Sequence, residues 1–441
     1  MGGERKASAL SVSQKPKLKH DPKSSHLTKR KTALLFIIAT VVIDMLGVGL
    51  AWPILPQLVR ELSGTDIAES AVIYGLLMSG FALVQFIISP FIGALSDRFG
   101  RRPILLISLA GLCADYIILA LAPNLAWLVI GRIVAGIFSA TVSTANAYIA
   151  DITPREDRAA AFGLLGAAFG IGFVAGPLIG GVLGAIDLQY PFWLAAALAF
   201  VNMVFGYFML PESLPQEKRS SVTLAKANPF TALLRIGRYA SLLVLMIALL
   251  LTGIAQQGLQ GIWVLWTEAR FDWGVAEAGY SLAWVGICMA FVQGYVVRKV
   301  VPVFGERRVL FGGFTISTIA FILLPFITEG WLIYPGIFFH ILGWGCAGPT
   351  LTALMSQNVP DDEQGLLQGT ISSVNTIAMI AGPLVATQIF ASSSGANPVF
   401  SNPGSFYFFG AGLFIITLII VRIDRHRASR AKHPAQVESS S

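Results

Sequence analysis

The chain has 441 residues, of which 55% are hydrophobic and only 12% are charged, and its mean hydropathy is +0.71. Soluble domains carry about 25% charged residues, so this composition excludes a soluble globular protein and indicates a multi-pass membrane protein. The net charge of +7 does not indicate nucleic-acid binding, because 28 of the 31 Lys and Arg residues lie in the two tails and in the loops after even-numbered apolar segments. By the positive-inside rule, this distribution predicts that both termini lie in the cytoplasm.

Twelve apolar segments are long enough to cross a bilayer, which takes roughly 20 residues per helix. The sequence therefore predicts an all-α membrane protein with twelve transmembrane helices. We number these segments as spans 1 to 12, at 33–56, 71–94, 103–122, 125–150, 160–185, 190–210, 241–266, 277–298, 308–327, 331–355, 364–391 and 404–422.

The two halves of the chain repeat each other. Pro154 and Pro360 follow spans 4 and 10 and are 206 residues apart, and the Gly-Pro pair at 176–177 matches the pair at 382–383 with the same offset. Such a long repeat predicts two six-helix bundles of the same orientation. Parallel halves of this kind bind substrate between them near the membrane midplane and rock to expose the site alternately.

The repeat and the charge pattern predict five regions. A basic, disordered cytoplasmic tail at 1–32 is expected to lie beside anionic lipid headgroups. The N-terminal bundle at 33–210 and the C-terminal bundle at 241–424 are joined by a cytoplasmic linker at 211–240, and a second cytoplasmic tail follows at 425–441.

Two acidic residues and one basic residue lie inside the spans. Asp44 in span 1 is eleven residues from the start of that span, or roughly 16 Å deep at 1.5 Å per residue, which is near the bilayer centre. Spans 3 and 4 form a hairpin that turns near Pro123 and Asn124. Asp115 and Arg132 are equally distant from that turn, so they lie at the same depth and can face each other.

These buried charges have two interpretations. An Asp at a helix centre costs about 2.5 to 3.5 kcal/mol on insertion, so the two acids need a reason. In the structural interpretation, Arg132 pairs with one or both acids as a buried lock. In the functional interpretation, a carboxylate in low dielectric favours its protonated form and can bind and release a proton, while Arg132 decides which acid is charged.

A charged loop with the sequence GALSDRFGRRP joins spans 2 and 3. Two glycines permit a tight reversal, and the charged side chains cannot lie in hydrocarbon. The loop is either an ordinary solvated loop that obeys the positive-inside rule or a conformational gate. The candidate gate residues are Gly93, Asp97, Arg98, Gly100, Arg101 and Arg102.

The spacing G-x-x-x-D-R-x-G-R-R in this loop resembles the loop between helices 2 and 3 of the major facilitator superfamily. The resemblance implies that Asp97 lies against the start of span 11, around Gln364 and Gly365, and that the basic residues lock one conformation. Breaking this contact would then accompany the change of access. The resemblance also favours Asp44 as the proton-coupling acid, because helix 1 lines the cavity in this fold, with Asp115 largely structural.

Span 5 carries the glycine-rich sequence GLLGAAFGIGFVAGPLIGG. Close helix packing through small residues is common in membranes and explains part of this pattern. The spacing G-x-x-x-G-P-x-x-G-G resembles the motif of proton-coupled exporters in the superfamily, and this resemblance implies export rather than uptake. The motif residues are Gly172, Gly176, Pro177, Gly180 and Gly181.

Several polar or aromatic side chains in the spans are candidates for an amphipathic substrate cavity. Each can instead form an interhelical hydrogen bond, or, for the tryptophan, an interfacial anchor. The candidates are Gln85, Asn146, Gln256, Gln257, Gln260, Trp284, Gln293, His340 and Asn375.

Many segments in order resemble the tetracycline/proton antiporter branch of the drug exporters: IDMLGVGLAWPILPQL around Asp44, LCADYIILA around Asp115, GPLIGG, WVLWTEARFDW and QGLLQG. In that branch the acids of helices 1 and 3 and the charged loop matter for exchange of metal-tetracycline with protons. The chain departs from the branch at Ser317, where an Asp of helix 9 is expected, and at Met289, where a His of helix 8 is expected. With fewer charges, a related amphipathic drug or metabolite is favoured as much as tetracycline.

The sequence thus predicts an antiporter of the cell inner membrane that expels an amphipathic small molecule in exchange for protons. The expected partners are that small molecule, protons and membrane lipid, with no nucleic acid, and the expected state is a monomer. Uptake or facilitated diffusion on the same fold is the first alternative. A non-transporting receptor or assembly protein is the second, supported by the basic tail.

Neither an enzyme nor a cofactor is expected. The sequence contains no nucleophile paired with a base, no phosphate-binding loop and no metal-ligand spacing. Cys113, Cys288 and Cys346 lie far apart inside predicted helices, so core packing is expected for them. The proton is the expected coupling ion, and a divalent metal carried with the substrate is the one metal role left open.

Overall fold

The computed structural model of the chain describes residues 22–139, 141–219, 240–360, 363–395 and 402–432. Throughout these residues the secondary structure is helical, and no strand occurs among them. Twelve of the helices are long and apolar enough to cross a membrane. The prediction of an all-α protein with twelve transmembrane helices is confirmed.

We label the twelve spanning helices α1 to α12 in chain order. They are α1 Pro22–Ala51, α2 Ile67–Phe99, α3 Arg101–Ala120, α4 Leu125–Phe138 with Thr141–Ile152, α5 Arg158–Gly184, α6 Tyr190–Met209, α7 Ala240–Phe271, α8 Val275–Phe291 with Val297–Phe304, α9 Glu306–Leu323, α10 Ile333–Ser356, α11 Gln364–Ser394 and α12 Ser405–Lys432. The two parts of α8 are joined by a π-helical turn, Val292–Val296, and a short helix, Leu55–Ser63, lies between α1 and α2.

Both terminal helices extend beyond the predicted spans. The first begins at Pro22, so residues 22–32 of the predicted disordered tail are helical, and the last continues to Lys432, into the predicted tail at 425–441. Lys and Arg are good helix formers and Pro suits the first turn, so the polar flanks prolong the helices. Residues 1–21, 433–441 and 220–239 of the predicted tails and linker lie outside the described residues.

The helices form two bundles with equivalent packing. In the N-terminal half, α1 packs on α5 and α3 packs on α6, and in the C-terminal half α7 packs on α11 and α9 packs on α12. The halves meet along two further pairs, α2 with α11 and α5 with α8. These two pairs are exchanged when each helix is replaced by its counterpart six helices later, so the interface obeys the internal repeat.

Contacts between the halves lie toward one membrane face. We call this face the far side, and we call the face at which α1 begins and α12 ends the terminal side. On the far side the Ser79 hydroxyl of α2 donates to the Ile380 carbonyl of α11 at 2.7 Å. Gly75 of α2 lies against Thr387 of α11.

The terminal side of the same helices is open. A methyl group added at several glycines there would meet no atom within 4 Å outside its own helix and its chain neighbours. Gly75, Gly181 and Gly279, toward the far side of the interface helices, are instead tightly packed against the other half. The halves are therefore closed against each other on the far side and separated on the terminal side. The open glycines on the interface helices are Gly93 in α2, Gly163 and Gly166 in α5, Gly294 in α8, and Gly365 and Gly369 in α11.

Candidate functional site

A cavity of about 440 Å³ lies between the two halves. Helices α1 to α5 supply most of its walls, α7 and α11 supply others, and Trp52 and Leu55 add to them from the turn and short helix after α1. Apolar and aromatic side chains dominate the surface, with a small number of polar groups among them. The polar and charged side chains that line it are Asp44, Tyr74, Gln85, Asp115, Tyr116, Arg132, Ser139, Gln257 and Gln260.

Asp44 is the cavity acid without a protein partner. It projects from α1, is half-buried, and makes no hydrogen bond or ion pair with any residue that the structure describes. A carboxylate removed from bulk water without a compensating group favours its neutral form. Its position on a cavity wall leaves it accessible to molecules that enter the cavity.

Asp115 has a different environment. The Nη2 atom of Arg132 donates to both carboxylate oxygens of Asp115, at 3.0 Å and 2.8 Å. The Asp115 side chain is only 1% exposed and that of Arg132 is 12% exposed. The guanidinium also lies over the ring of Phe81, at 5.9 Å from its centroid. The pair therefore carries no net charge when both groups are ionised.

The glycine stripe of α5 fixes α1 in place. A Cβ added at Gly176 would lie 2.7 Å from the Cα of Gly49, and one added at Gly180 would lie 2.5 Å from the carbonyl oxygen of Leu50. Gly172 lies equally close to the backbone of α1, beside Asp44. Small residues let the two backbones touch, and this contact sets the depth and direction of Asp44.

The remaining residues of the same motif face the other half. Gly181 lies against Gly279 of α8, and the carbonyl oxygen of Pro177 would lie 2.5 Å from a Cβ at that glycine. Helix packing through small residues, one of the two interpretations of this motif, is thus present in the structure. The motif forms both the α1–α5 contact and the far-side contact between the halves.

The sequence profile of the Major Facilitator Superfamily matches residues 37–383 and 304–440 of the chain. The chain belongs to the major facilitator superfamily. Among curated relatives, the class C tetracycline resistance protein of Escherichia coli is 40% identical over 89% of this chain and 97% of its own length. The class G tetracycline resistance protein of Vibrio anguillarum is 37% identical over 89% of this chain and 98% of its own.

Solved structures agree on the fold. The crystal structure of the human organic anion transporter MFSD10 superimposes with a TM-score of 0.66 at 24% identity, covering 89% of this chain and 99% of that one. The resemblance to the superfamily and to its tetracycline-resistance branch is therefore confirmed. These relatives are transporters of small molecules, so the chain is a multi-pass membrane transporter.

The predicted gate loop is shorter than expected, because α2 continues to Phe99 and α3 begins at Arg101, so only Gly100 lies between the two helices. Its charged side chains bind groups of their own half. The Nη1 atom of Arg101 pairs with Asp97 at 2.6 Å, and its Nε atom pairs with Asp151 at 3.1 Å. Glu212, from the start of the linker, accepts hydrogen bonds from the backbone N–H groups of Arg101 and Arg102 at 2.8 Å and 3.3 Å. A carboxylate at this helix N-terminus is favourable, so Glu212 caps α3.

Two further features hold this loop. Gly100 adopts a φ of 106° and lies against the Glu212 carboxylate, so a side chain there would be strained and would displace the cap. Arg102 donates to the carbonyl oxygen of Tyr207 at 2.5 Å, and Arg98 lies over the ring of Phe99. The loop thus joins α2, α3, α6 and the linker.

The expected contact between Asp97 and the start of α11 is not found among the described residues. Asp97 is half-exposed and its ion pair is with Arg101. Gln364 instead donates to carbonyl oxygens of its own half, at Ser356 and Val359. Because the terminal side is open in this conformation, the loop and α11 are apart. The resemblance described the opposite, closed state of that side.

The structure brings together part of the predicted cavity set. Gln85, Gln257 and Gln260 line the cavity with Asp44, and the Oε1 atom of Gln85 is buried without a partner among the described residues. Gln256 and His340 line a smaller adjoining cavity.

Four residues of the predicted set line neither of these two cavities: Asn146, Trp284, Gln293 and Asn375. Trp284 donates to the Tyr334 carbonyl oxygen at 2.9 Å, and Gln293 donates to a neighbouring sulfur on its own helix. The position of each residue along its span predicts its depth in the membrane. It does not predict which way the residue faces, because these spans have no polar face that would mark the side toward the cavity.

Sequence reasoning missed most of the aromatic wall. Tyr116 lines the cavity, and its hydroxyl packs against Gly47, one turn beyond Asp44 on α1. Its place directly after Asp115 was the one available signal. Aromatic and Met side chains are equally common at lipid-facing positions, so the rest carried none. These further wall residues are Met45, Trp52, Met78, Phe169, Phe173 and Met379.

Metal ligands do not cluster in the described part of the chain. No group of three or more His, Cys, Asp or Glu side chains is arranged there to hold a metal ion. Cys113, Cys288 and Cys346 are free and buried, which confirms the prediction of core packing for the three cysteines.

Proposed function

We propose that the chain is a proton-coupled antiporter that exports an amphipathic, tetracycline-like small molecule across the inner membrane by alternating access. The observation that carries the proposal is the carboxylate of Asp44, unpaired among the described residues, on the wall of a cavity between the two halves. The tetracycline resistance proteins among its relatives support the same cargo class.

Charge balance explains how exchange follows from this arrangement. Asp115 and Arg132 neutralise each other, so Asp44 sets the net charge of the cavity wall. The cavity is neutral when Asp44 is protonated and carries one negative charge when it is ionised. An isolated buried charge is costly, so either a proton or a cationic cargo must compensate it. Proton and cargo therefore compete for Asp44, which is the requirement for antiport.

The cavity suits an amphipathic cation. Aromatic and Met walls bind an apolar skeleton, while Asp44 attracts a single positive charge. A tetracycline carried with a divalent metal ion has both properties. The branch is expected to have an acid at Ser317 and a histidine at Met289. Neither residue lines either cavity, so the two replacements do not argue against this cargo.

Orientation completes the proposal. The positive-inside distribution supports a cytoplasmic terminal side, so the conformation described above faces the cytoplasm and can load cargo. Large apolar side chains such as Phe208 and Val303 are 76% and 73% exposed and would contact lipid. We propose that the protein acts as a monomer, because each chain encloses a complete cavity.

A resistance screen tests this function. Cells that express the intact protein should grow in higher concentrations of tetracycline than empty-vector cells, and cells that express Asp44→Asn should not. The matched control is Asp66→Asn, because Asp66 caps α2 on the far side and Asn caps helices equally well. Equal resistance with Asp44→Asn and the intact protein, at equal membrane abundance, would overturn the role of Asp44.

A further inference from the structure

A second cavity adjoins the first, and its volume is about 50 Å³. Apart from Trp52 and Phe173, every residue that lines it belongs to the C-terminal half. Leu282 and Ile337 represent its apolar walls, on α8 and α10. The cavity is therefore a pocket of one half that is covered by two aromatic side chains of the other.

The two cavities share a boundary. Trp52, Phe173 and Gln260 line both of them. The rings of Trp52 and Phe173 pack edge to face, with centroids 5.5 Å apart. Both rings belong to the N-terminal half, so they move with it when the halves rock. Rocking would uncover the small cavity toward the main one.

The polar groups of the small cavity are incompletely paired. Nε2 of His340 and Oε1 of Gln256 are hydrogen-bonded at 3.0 Å. His340 is 4% exposed, and its Nδ1 atom is buried without a partner among the described residues. At the boundary, the amide of Gln260 has no hydrogen bond with any residue described. Buried polar atoms are almost always satisfied, so the Nδ1 atom of His340 points to a missing partner.

Other side chains of the cavity are already satisfied or apolar. The indole N–H of Trp263 donates to the Ser281 hydroxyl at 2.9 Å, so Trp263 contributes only apolar ring atoms to the cavity wall. No charged side chain lines this space. A charged group would lose its hydration there without compensation. The chemistry of the walls thus selects an uncharged group.

We propose that the small cavity is a second cargo subsite, resting on the exporter function above, which takes an uncharged apolar or aromatic group bearing one hydrogen-bond donor such as a hydroxyl or an amide N–H, because Nε2 of His340 donates to Gln256 and leaves Nδ1 as an acceptor. Gln260 receives this group at the boundary, and His340 binds its polar atom inside. Asp44 holds the charged end of the same cargo in the main cavity. A cavity needs roughly 10 to 15 Å³ of this kind of space to hold one water, so the present cavity already admits a small group.

Thiol labelling of the intact protein in native membranes tests accessibility. In a background of Cys113→Ser, Cys288→Ser and Cys346→Ser, Ile337→Cys places a thiol on the cavity wall, where Ile337 is 3% exposed. The control is the protein that retains only Cys346, which lies on the same helix, is 6% exposed and lines neither cavity.

N-ethylmaleimide should label Ile337→Cys at least about tenfold faster than Cys346. The two thiols are similarly buried, but only the one at position 337 lines a cavity through which the reagent can reach it. Leu282→Cys on α8 provides a second position if Ile337→Cys is not stably inserted. Labelling of both new thiols at the slow rate of Cys346 would show a sealed core and overturn the proposal.

Cargo protection tests binding. Tetracycline with Mg²⁺ should slow labelling of Ile337→Cys, and His340→Phe should raise the tetracycline concentration needed by about tenfold, because it keeps the ring and removes both nitrogens. Labelling that is fast but unaffected by tetracycline would overturn the cargo assignment. If the exporter function itself were wrong, the result would differ: Asp44→Asn would leave tetracycline resistance unchanged, whether or not the thiol at position 337 is labelled.

Discussion

At the scale of single residues, the two membrane-embedded acids differ in their partners. Asp115 shares two hydrogen bonds with Arg132, whereas Asp44 has none with the residues described. A buried pair from which one member is removed leaves an uncompensated charge, which costs about 3 to 5 kcal/mol. The structural interpretation therefore suits Asp115, and the coupling role suits Asp44.

This difference predicts a coupled pair at 115 and 132. Asp115→Asn and Arg132→Gln should each lower the thermal stability of the purified protein strongly, since each leaves one buried charge alone. The double variant should lose less free energy of unfolding than the two single variants lose together, and the difference, which is the interaction energy of the pair, should be about 1 to 3 kcal/mol. Unfolding in detergent, followed by intrinsic fluorescence, measures the cycle. Additive losses would contradict the buried lock.

The depth of the two acids in the membrane could be predicted from the sequence, but their surroundings could not. Depth followed from counting residues along spans 1, 3 and 4, because a helix rises uniformly. The rotation of each helix did not follow, so Asn375 and Gln293 were placed in the cavity although neither lines it. Tyr116 and Phe173 were missed because an aromatic residue suits lipid, core and cavity equally.

At the scale of elements, the close contact of α1 with α5 positions Asp44. Gly176 admits no side chain, whereas Gly166 on the same helix has open space around it. The glycine pattern of α5 could be predicted as a packing surface, since small residues recur at helical spacing. The helices that pack on this surface could not be predicted, because the glycine pattern does not show which neighbouring helix each glycine faces.

Gly176→Ala should separate α1 from α5 and cost about 1 to 3 kcal/mol through overpacking. Gly166→Ala is the matched control, and it should be neutral or stabilise the helix by up to about 1 kcal/mol. Thermal unfolding and tetracycline resistance are measured for both variants. If Gly176→Ala kept the stability of the intact protein while Gly166→Ala lost stability, the described packing of α5 would be contradicted.

The gate loop offers a second element-scale test. Gly100→Ala forces a side chain into a φ of 106° and displaces the Glu212 cap, which should cost about 1 to 3 kcal/mol. Gly93→Ala, earlier in α2, has free space and serves as the control. Limited proteolysis of the linker reports the cap, and faster cleavage is expected for Gly100→Ala alone. Equal cleavage of the two variants would rule out the cap.

At the scale of the whole molecule, the halves close on the far side and open on the terminal side. Arg60, between α1 and α2, forms an ion pair with Glu268 at the end of α7, which joins the halves across the far side. Twelve helices, two bundles and the repeat could all be predicted from the sequence. The conformation could not, because one sequence encodes both states of the cycle.

Breaking this ion pair should favour opening on the far side. Arg60→Glu should speed far-side labelling of a thiol at Ala276 by a membrane-impermeant maleimide, and reduce resistance. Combining Arg60→Glu with Glu268→Arg should restore both, because the charges are exchanged rather than removed. A partly exposed pair contributes about 1 kcal/mol or less, so a change of up to about fivefold is expected. Failure of the exchange to restore labelling would show that the pair does not hold the closed state.

The most direct test of the central claim is proton movement in everted membrane vesicles. With an acid interior established by respiration, tetracycline and Mg²⁺ should release protons from vesicles that contain the intact protein, as reported by recovery of acridine fluorescence. Vesicles with Asp44→Asn should show no release at equal protein abundance, and those with Asp66→Asn should match the intact protein. Tetracycline accumulation that survives collapse of the pH gradient by an ionophore, or full proton release with Asp44→Asn, would contradict proton exchange at Asp44.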